Sequence, residues 1–467
     1  MRLYLVNPRN PLVALTKKSR WSKYRVWKPL GLLTVAGLTP PEWDVTIIDE
    51  NLDVPDYEVL PRPDLVGITS FTSQANRAYE LAGEFRNRGV PVVMGGVHAS
   101  MCLDEAMGHV DSVVTGEAES VWAQLLEDVR QGALQPVYAG EHVNMEKVPP
   151  ARNDLLKSGY AFGSIQTTRG CPLDCGFCSV PTFNGHRYRQ RPVENVVEEF
   201  RTIREKRILV VDDNLIGTSA KHIARAKDLF RAMIRAKLRK QWVCQVTINV
   251  ADDEELLDLA AKAGCKGVFI GFESPTKEGL AEVGKKFNLL KQRNFRESVL
   301  RIQKHKISVV GSFIMGLDTD QQGIGTLIAE TANHYGIDLL NVLFLTPLPG
   351  TRLWKKMEAE GRIAADSFPE DWKYYTLSFP VGRYKHLSWT RILEEMDNCN
   401  RGFYSLSRIL HRLWGSLLRR RSPLLMLVSN LSLRSNIRTD RARWSKLDML
   451  RGAALKDEAV QECSAEG

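Results

Sequence analysis

Three of the eight cysteines in this 467-residue chain lie within the stretch TTRGCPLDCGFC at residues 167–178. Cys171, Cys175 and Cys178 form the pattern C-x3-C-x2-C. Clustered cysteines in a reducing compartment predict a metal site, because thiolates are soft ligands. Structural zinc normally takes four ligands, and no fourth cysteine lies nearby. We therefore favour a 4Fe-4S cluster held by three thiolates, with one iron free of protein ligands.

The other cysteines lack the spacing of a disulfide framework; they are Cys102, Cys244, Cys265, Cys399 and Cys463. This scatter predicts buried or incidental thiols in a reducing compartment. The chain starts with MRLYLVNPRNP, an alternating pattern typical of a strand and not of a signal peptide. No stretch reaches the roughly 18 to 20 apolar residues that a spanning helix needs. We therefore expect a cytoplasmic protein.

The elements that must position the cysteines form two series. With 43% hydrophobic and 25% charged residues, the chain is typical of a globular protein of about two to four domains. In the first part, helical patterns separate the apolar runs LYLVNP, DVTIID, LVGITSF, VPVVMGG and DSVVTGE. Such runs predict a parallel sheet covered on both faces, a Rossmann-like (flavodoxin-like) domain with its ligand crevice at the carboxyl ends of the strands. Residues expected at that crevice are Ser70, Thr72, Ser73, Gly95, Gly96, His98, Gly116 and Glu117.

The passage VYAGEHVNMEKVPPARNDLL, which contains prolines and lacks periodicity, is predicted to be a linker. A second series follows, with the strand candidates GSIQTTRG, ILVVDDNL, WVCQVTIN, GVFIGFES, ISVVGSFIMG and LLNVLFLTPLPG. Six successive βα units predict a parallel (β/α)6 barrel, full or partial, whose chemistry lies at the carboxyl ends of the strands. The cysteines follow the first of these strands.

The last 90 or so residues lose this alternation. In SLSRILHRLWGSLLRR, apolar residues recur at helical spacing and arginines take other positions: Leu406, Ile409, Leu410, Leu413, Trp414, Leu417 and Leu418, against Arg408, Arg412 and Arg419. Residues 401–467 carry 13 Lys/Arg and 6 Asp/Glu, so +7 of the net charge of +9 lies there. We expect this helix to pack on the barrel with a solvated basic face. Contact with a membrane surface, including the inner membrane, is the alternative.

The predicted fold class is therefore α/β with a mainly helical C-terminal region. We expect a first domain over residues 1–140, a linker over 141–160, a core barrel over 161–375 and a basic helical region over 376–467.

The C-x3-C-x2-C pattern after a first barrel strand, with Phe177 just before the third cysteine, resembles the radical S-adenosylmethionine (radical SAM) superfamily. The resemblance implies that Cys171, Cys175 and Cys178 hold the cluster and that its open iron binds S-adenosylmethionine. Reductive cleavage then gives methionine and a 5′-deoxyadenosyl radical, which abstracts a substrate hydrogen. No side chain is therefore assigned a catalytic role. The resemblance also implies an electron donor such as flavodoxin or ferredoxin.

Later strand ends match the family's S-adenosylmethionine contacts, although the usual Gly-Gly-Glu after the second strand is replaced by Asp-Asp-Asn. The implied contacts are Phe177, Asp212, Asp213, Asn214, Glu273, Ser274, Gly311, Gly316 and Pro347. For the polar residues after the second and fourth strands, an ordinary turn or helix cap is the alternative.

A Rossmann-like domain with GGVHA and GEAE ahead of this barrel resembles the cobalamin-binding branch of the superfamily. The resemblance implies that the crevice residues of the first domain line a cobalamin site. No Asp-x-His-x-x-Gly motif occurs, so the histidine that ligates cobalt from below in many cobalamin proteins is missing, and His98 is the only histidine at the crevice. Either cobalamin binds without a protein nitrogen ligand, or the domain has lost the cofactor.

The sequence thus predicts an enzyme that activates a C–H bond and methylates an unactivated carbon of a hydrophobic metabolite, such as a lipid, terpenoid or tetrapyrrole. Radical cyclisation, oxidation or rearrangement without methyl transfer is one alternative, and an iron-sulfur electron-transfer protein is another. Nucleic acid is not expected as a partner. Radical enzymes that thiomethylate tRNA carry three more cluster cysteines in their first domain, where this chain has only Cys102.

Overall fold

The computed structural model describes residues 1–12, 27–157, 159–285, 288, 293–418 and 423–444. Its strands are β1 Arg2–Asn7, β2 Asp44–Asp49, β3 Leu65–Thr69, β4 Val92–Gly95, β5 Ser112–Thr115, β6 Val137–Ala139, β7 Gly163–Ile165, β8 Thr168–Arg169, β9 Arg189–Gln190, β10 Arg207–Val210, β11 Gln241–Gln245, β12 Cys265–Glu273, β13 Ser308–Met315 and β14 Leu339–Phe344. The α-helices are Leu30–Leu38, Ala75–Arg86, Val97–Met101, Leu103–Met107, Trp122–Gln131, Val180–Asn184, Val193–Thr202, Ala220–Arg235, Glu254–Lys262, Lys277–Glu282, Phe295–Lys304, Ile324–Tyr335, Arg352–Ala359, Trp389–Phe403, Leu406–Leu418 and Pro423–Trp444.

The first sheet is parallel throughout, in the order β2-β1-β3-β4-β5-β6. Alternate residues of β1 pack into two different hydrophobic cores. Tyr4 and Val6 lie in one, and Leu3 and Leu5 lie in the other. This arrangement confirms the prediction of a sheet covered on both faces. The chain reverses its direction of winding between β1 and β3, so the crevice of a doubly wound fold lies at the carboxyl ends of these strands.

Strand β6 lies inside the passage that was predicted to be a linker. It pairs with β5 through Val113 and Val137 and forms an edge of the first sheet. The strand is only three residues long and follows Pro136, so it has no recognisable period-2 pattern. These residues were not predicted to form a strand, although they lie inside the bounds of 1–140 predicted for the first domain.

The second sheet is also parallel, in the order β14-β13-β12-β11-β10-β7. Strands β7 and β14 lie at its two edges, which corresponds to the partial form of the predicted six-unit barrel. The run GSIQTTRG divides into β7 and β8. Strand β8 pairs antiparallel with β9, so this ribbon brackets the chain segment that carries the cysteines.

The C-terminal region is helical, as predicted, but the helix Leu406–Leu418 is not oriented as expected. Its buried side is formed by Ile409, Arg412 and Ser416, whereas most of its predicted apolar face points outward. Arg412 is held inside because its guanidinium donates to the carbonyl oxygen of Phe403 and to the side-chain oxygens of Asn333 and Asn430. The side chain of Leu418, all of Arg419 and Cys463 lie outside the described residues.

Across the described ranges, we find no helix whose length and apolar character would let it cross a bilayer.

Candidate active site

The three cysteines lie in one loop between β8 and the short helix Val180–Asn184. The amide of Cys178 donates to the carbonyl of Cys175 (3.2 Å), which closes a tight turn. The loop is fixed from outside by Arg352, whose guanidinium donates to the carboxylate and the carbonyl oxygen of Asp174 (2.6 and 2.7 Å). The end of the sixth barrel unit therefore holds the loop that follows the first.

Beside this loop is a cavity of about 150 Å³ whose lining includes Cys175, Cys178 and His186. Burial raises the pKa of Cys175 to about 11 and that of Cys178 to about 12. Burial also raises the pKa of the Cys171 thiol, although hydrogen bonding and the charge of Lys285 oppose the shift. Thiolates at this depth need a cationic partner such as a metal centre.

This donor set fits an iron-sulfur cluster better than a single ion. No three His, Cys, Asp or Glu side chains in the described ranges are gathered closely enough to hold one metal ion. In a 4Fe-4S cluster each thiolate binds a different iron atom, so the ligands lie farther apart than around one ion. Three soft donors in one loop, next to a cavity, suit such a group.

Asp212, Asp213 and Asn214 follow β10, beside the cysteine loop. Asp212 is fully buried, and its two oxygens accept hydrogen bonds from the amide (2.5 Å) and the hydroxyl (2.6 Å) of Thr167. Asp213 accepts from the amide of Gly170, the residue before the first cysteine (3.0 Å). These carboxylates hold the backbone that leads into the cysteine loop. Their predicted contact with S-adenosylmethionine stays a prediction.

Glu273 ends β12 with a positive φ of 69°, and its carboxylate is buried. Its Oε1 lies 2.6 Å from Nζ of Lys285, also buried, and this ion pair raises the pKa of Lys285 against the effect of burial. The charge of Lys285 also opposes the rise that burial causes in the pKa of Cys171 and of Cys175. Sequence reasoning missed Lys285 because a lysine in the pattern KEGLAEVGKK looks like a solvated helix residue.

Ser274 is buried, and its Oγ accepts from the amide of Thr276 (3.2 Å), whose own hydroxyl caps the helix Lys277–Glu282. This geometry is that of the turn considered as the alternative for Ser274. Its role toward S-adenosylmethionine stays a prediction.

Gly311 in β13 and Gly316 just after it allow the chain to pack closely against itself. A Cβ on Gly311 would lie 2.5 Å from Cδ1 of Ile337, and one on Gly316 would lie 2.6 Å from the ring of Tyr384. Gly316 also has a φ of 102°, which favours glycine. Pro347 is buried after β14. These positions meet side chains of this chain, and their predicted approach to adenine remains untested.

The crevice residues of the first domain do lie together at the carboxyl ends of β3, β4 and β5. The amide of His98 donates to the carbonyl of Ser70 (3.1 Å), and the amide of Gly116 donates to Oγ of Ser100 (3.0 Å). Thr72 is buried and Ser73 is half-buried; Gly95 ends β4 and Gly96 follows it. The sequence pattern therefore located this edge of the sheet correctly.

His98 is fully buried, and its Nε2 lies 2.9 Å from the hydroxyl of Tyr79. That hydroxyl donates its one proton to Glu105 (2.7 Å), which also accepts from Nε1 of Trp372 (2.9 Å), so His98 donates to Tyr79 through Nε2. Nδ1 of His98 is then an acceptor, and it has no hydrogen-bond partner. Because Nδ1 has no accessible surface, the His98 ring packs among Tyr79, Glu105 and Trp372, and its predicted contact with cobalamin stays a prediction.

Glu117, predicted at the crevice, is engaged in an ion-pair network between the end of the first sheet and the β8–β9 ribbon. Its carboxylate bonds to Arg189 of β9 (2.5 and 2.9 Å) and lies 3.3 Å from Arg169 of β8, which also pairs with Glu119 (2.5 Å). Burial alone would raise the pKa of Glu117, but these arginines outweigh burial and lower it. Since Arg169 is two residues before Cys171, the network joins the crevice of the first domain to the cysteine loop.

The carboxyl edges of the two sheets also meet at Gly350, in the PLPG segment after β14. A Cβ on Gly350 would lie 2.5 Å from Sδ of Met101, the last residue of the helix Val97–Met101, which also contains His98. The segment after the sixth barrel strand therefore lies against the helix that carries His98.

Comparison with known proteins agrees with this layout. Residues 165–324 match the radical SAM superfamily, and residues 23–126 match the B12-binding domain. A bacteriochlorophyllide d C-12(1)-methyltransferase of Chlorobaculum tepidum is 32% identical over 400 residues, which are 83% of this chain and 85% of that protein. A hopanoid C-2 methylase of Rhodopseudomonas palustris is 30% identical over 72% of this chain and 66% of its own length.

Among solved structures, the cobalamin-dependent S-adenosylmethionine radical enzyme OxsB with aqua-cobalamin has a TM-score of 0.68. It is 14% identical and covers 98% of this chain and 80% of its own. The radical S-adenosylmethionine methyltransferase TsrM of Kitasatospora setae has a TM-score of 0.64, at 19% identity, over 85% and 88% of the two chains. At such identities the likeness establishes the fold.

The fold and the cysteine loop thus define a radical SAM enzyme. Specifically, the chain belongs to the cobalamin-dependent radical SAM methyltransferase family, which joins a B12-binding domain to the radical SAM domain. The cofactors of this family are a 4Fe-4S cluster, S-adenosylmethionine and cobalamin.

Proposed function

We propose that this enzyme methylates an unactivated carbon of a hydrophobic polycyclic metabolite, of the terpenoid or tetrapyrrole class. The observation that carries the proposal is the Glu117–Arg189–Arg169 network, which binds the end of β5 to the ribbon in front of Cys171. A crevice for a methyl-carrying corrin and a loop for a radical-generating cluster are thereby held next to each other. The relatives named above act on a bacteriochlorophyllide and a hopanoid, which supports the substrate class.

In this proposal, Cys171, Cys175 and Cys178 hold the cluster. The amide of Gly170, fixed by Asp213, orients the loop at its start, and Arg352 orients it through Asp174. When bound, the cluster and S-adenosylmethionine supply hydrogen abstraction, and cobalamin supplies the methyl group.

The remaining predicted contacts belong to two sets. Phe177, Asp212, Asp213, Asn214, Glu273, Ser274, Gly311, Gly316 and Pro347 surround the S-adenosylmethionine site. Ser70, Thr72, Ser73, Gly95, Gly96, His98, Gly116 and Glu117 surround the corrin. Within the first set, the ion pair with Lys285 orients Glu273. Within the second set, Glu117 holds the end of β5 against the β8–β9 ribbon through Arg169 and Arg189.

The test is a reaction of the anaerobically purified, reduced enzyme with methyl-labelled S-adenosylmethionine and an apolar extract of the source cells. We expect corrin absorption in the protein, 5′-deoxyadenosine in the mixture and label in an apolar product. Deoxyadenosine formed together with an unlabelled, altered product would replace methyl transfer by cyclisation, oxidation or rearrangement. A failure to form deoxyadenosine under any reducing condition would leave only an electron-transfer role.

We also propose that a small reductant protein such as flavodoxin or ferredoxin reduces the cluster. The cysteine loop reaches the surface at Asp174 and Arg352, whose side chains are 57% and 60% exposed, so a donor can approach the loop there.

A peripheral contact between the C-terminal region and a membrane completes the proposal. Polycyclic apolar metabolites partition into bilayers, so an enzyme acting on them gains from working at that surface.

A further inference from the structure

The helix Leu406–Leu418 carries an exposed apolar stripe. Leu406, Leu410, Trp414 and Leu417 are 58%, 64%, 64% and 53% exposed. They account for four of the twelve large apolar side chains exposed in the described ranges, and they lie within a single 13-residue helix. At 100° per residue, their spacing places them on one narrow face.

The opposite side of the helix fastens it to the protein. Ile409 and Ser416 are buried there, and the Arg412 guanidinium lies 3.9 Å from the centroid of the Phe403 ring. Nη2 of Arg412 also donates to Oδ1 of Asn430, in the next helix (2.9 Å). The helix thus faces the protein with its polar Arg412 and Ser416 and faces outward with three leucines and a tryptophan. This is the reverse of the usual arrangement for a surface helix.

The sequence that contains this stripe carries charge of one sign. Between Asp397 and Asp440 the sequence has no Asp or Glu and eight arginines. Arg408 is exposed on the stripe's own helix. Arg419, Arg420 and Arg421 follow that helix in the sequence, although their structure is not described. Apolar side chains surrounded by cations are complementary to a bilayer surface with anionic headgroups.

We infer that Leu406, Leu410, Trp414 and Leu417 form a membrane-insertion face, which enters the interface of a bilayer rich in anionic phospholipid. This inference deepens the proposed membrane contact and rests on it. The leucines enter the acyl boundary and Trp414 lies at headgroup depth, while Arg408, on the far side of the helix, adds to the positive potential that attracts the anionic surface. The ring contact and hydrogen bonds of Arg412 hold the helix so that this face stays outward.

Sedimentation with vesicles tests the inference on the full chain. We expect binding to vesicles containing about 30% phosphatidylglycerol in phosphatidylcholine, and weak binding to phosphatidylcholine alone. The double variant Leu410→Ser/Trp414→Ser should lower the partition coefficient about tenfold or more. Arg408→Glu should also weaken binding, with a reduced dependence on salt.

The matched control is Leu327→Ser/Trp27→Ser, the same two changes at positions that are 41% and 57% exposed elsewhere on the surface. This control should bind vesicles like the unmodified protein. Equal loss in both double variants would overturn the inference.

Two further measurements test whether a second copy of the chain, or residues 445–467, covers the stripe instead of a bilayer. They are light scattering of the full chain and vesicle binding by a chain that ends at residue 444. A dimer that Leu410→Ser/Trp414→Ser converts to a monomer would assign the stripe to a second copy. Vesicle binding that appears only after removal of residues 445–467 would assign it to that segment. Either result overturns the inference. None of these measurements needs turnover, so a failure of methyl transfer would leave the inference standing.

Discussion

Nζ of Lys285 lies 2.6 Å from Oε1 of Glu273, with both side chains buried next to the cysteine loop. Removing one partner of a buried ion pair leaves the other charge uncompensated. Lys285→Met should therefore lower the free energy of unfolding of the apoprotein by about 3–5 kcal/mol. In Lys285→Met/Glu273→Gln the loss should be smaller, because neither charge remains.

Urea unfolding of the unmodified protein, Lys285→Met, Glu273→Gln and the double variant measures the coupling between the two side chains. Lys277→Met, an exposed lysine at the start of the neighbouring helix, is the control and should leave the midpoint nearly unchanged. Additive effects of the two single variants would show that the pair does not interact as described.

Cys178→Ala should abolish the cluster. After anaerobic reconstitution we expect loss of the thiolate-to-iron absorption, reduced iron content and no 5′-deoxyadenosine. Cys102→Ala changes a half-buried thiol outside the loop and should retain the absorption, the iron content and the formation of 5′-deoxyadenosine. Deoxyadenosine formed by the Cys178 variant would remove the cluster assignment.

Gly116 and Gly132 both have a left-handed backbone, with φ of 65° and 68°, but different surroundings. A Cβ on Gly116 would collide with the carbonyl oxygen of Gly140, whereas one on Gly132 would meet nothing within 4 Å. Gly132→Ala should therefore cost only the conformational penalty of about 1–2 kcal/mol. Gly116→Ala should cost more, since backbone must move as well. Thermal unfolding of both variants measures the difference, and equal losses would contradict the close approach of the two strand ends.

Arg412→Met should loosen the C-terminal helices, because three side-chain or backbone oxygens lose their donor. Burial lowers the pKa of Arg412 to about 10, so this guanidinium is still charged at neutral pH. We expect faster amide exchange in the helices Leu406–Leu418 and Pro423–Trp444, and a stability loss of about 1–3 kcal/mol. Arg408→Met alters an exposed arginine of the same helix and should leave exchange unchanged. Equal exchange in both variants would argue against the anchoring role.

The buried carboxylate of Asp320 should make the stability of the folded protein depend on pH. Burial raises its pKa to about 6, although the amides of Gly316 and Leu317 donate to its carboxylate and oppose the shift. An unfolded aspartate titrates near pH ~4, so the folded chain binds more protons between about pH 4 and 6. The contribution of Asp320 to stability is therefore present below that window and is lost as the pH rises through it.

Unfolding of Asp320→Asn and of the unmodified protein, measured across this window, isolates the effect. The unmodified protein should lose stability relative to the variant as the pH rises. A difference that stays constant, or that changes in the opposite direction, would contradict the raised pKa.

The strands were the most predictable part of the molecule. Buried parallel strands give continuous apolar runs, and LYLVNP, DVTIID and ILVVDDNL all contain strands of the structure. Strand β6 was missed because three residues after a proline carry no periodic signal. The predicted orientation of the helix Leu406–Leu418 was wrong, because a helical pattern indicates which face is apolar but not what that face packs against. In the structure, the face that packs on the protein contains Arg412.

The site was predictable where its chemistry is local in sequence and less so where it depends on distant partners. The cysteine loop is complete within eight residues. Glu117 was assigned to the crevice, but its carboxylate is held by Arg189, 72 positions away. No local sequence pattern predicts an ion pair between residues so far apart. Lys285 was overlooked for the same reason, since its partner Glu273 is 12 positions earlier, on a strand.

The network of Glu117, Glu119, Arg169 and Arg189 limits how this chain can be recombined. None of these four side chains is more than 14% exposed, and the acids and the bases belong to different parts of the chain. A chimera that takes its first domain from one relative and its barrel from another must inherit matched charges on both sides. Otherwise buried ions would face each other unpaired or with like sign. The two halves must therefore be exchanged, or evolve, as a pair.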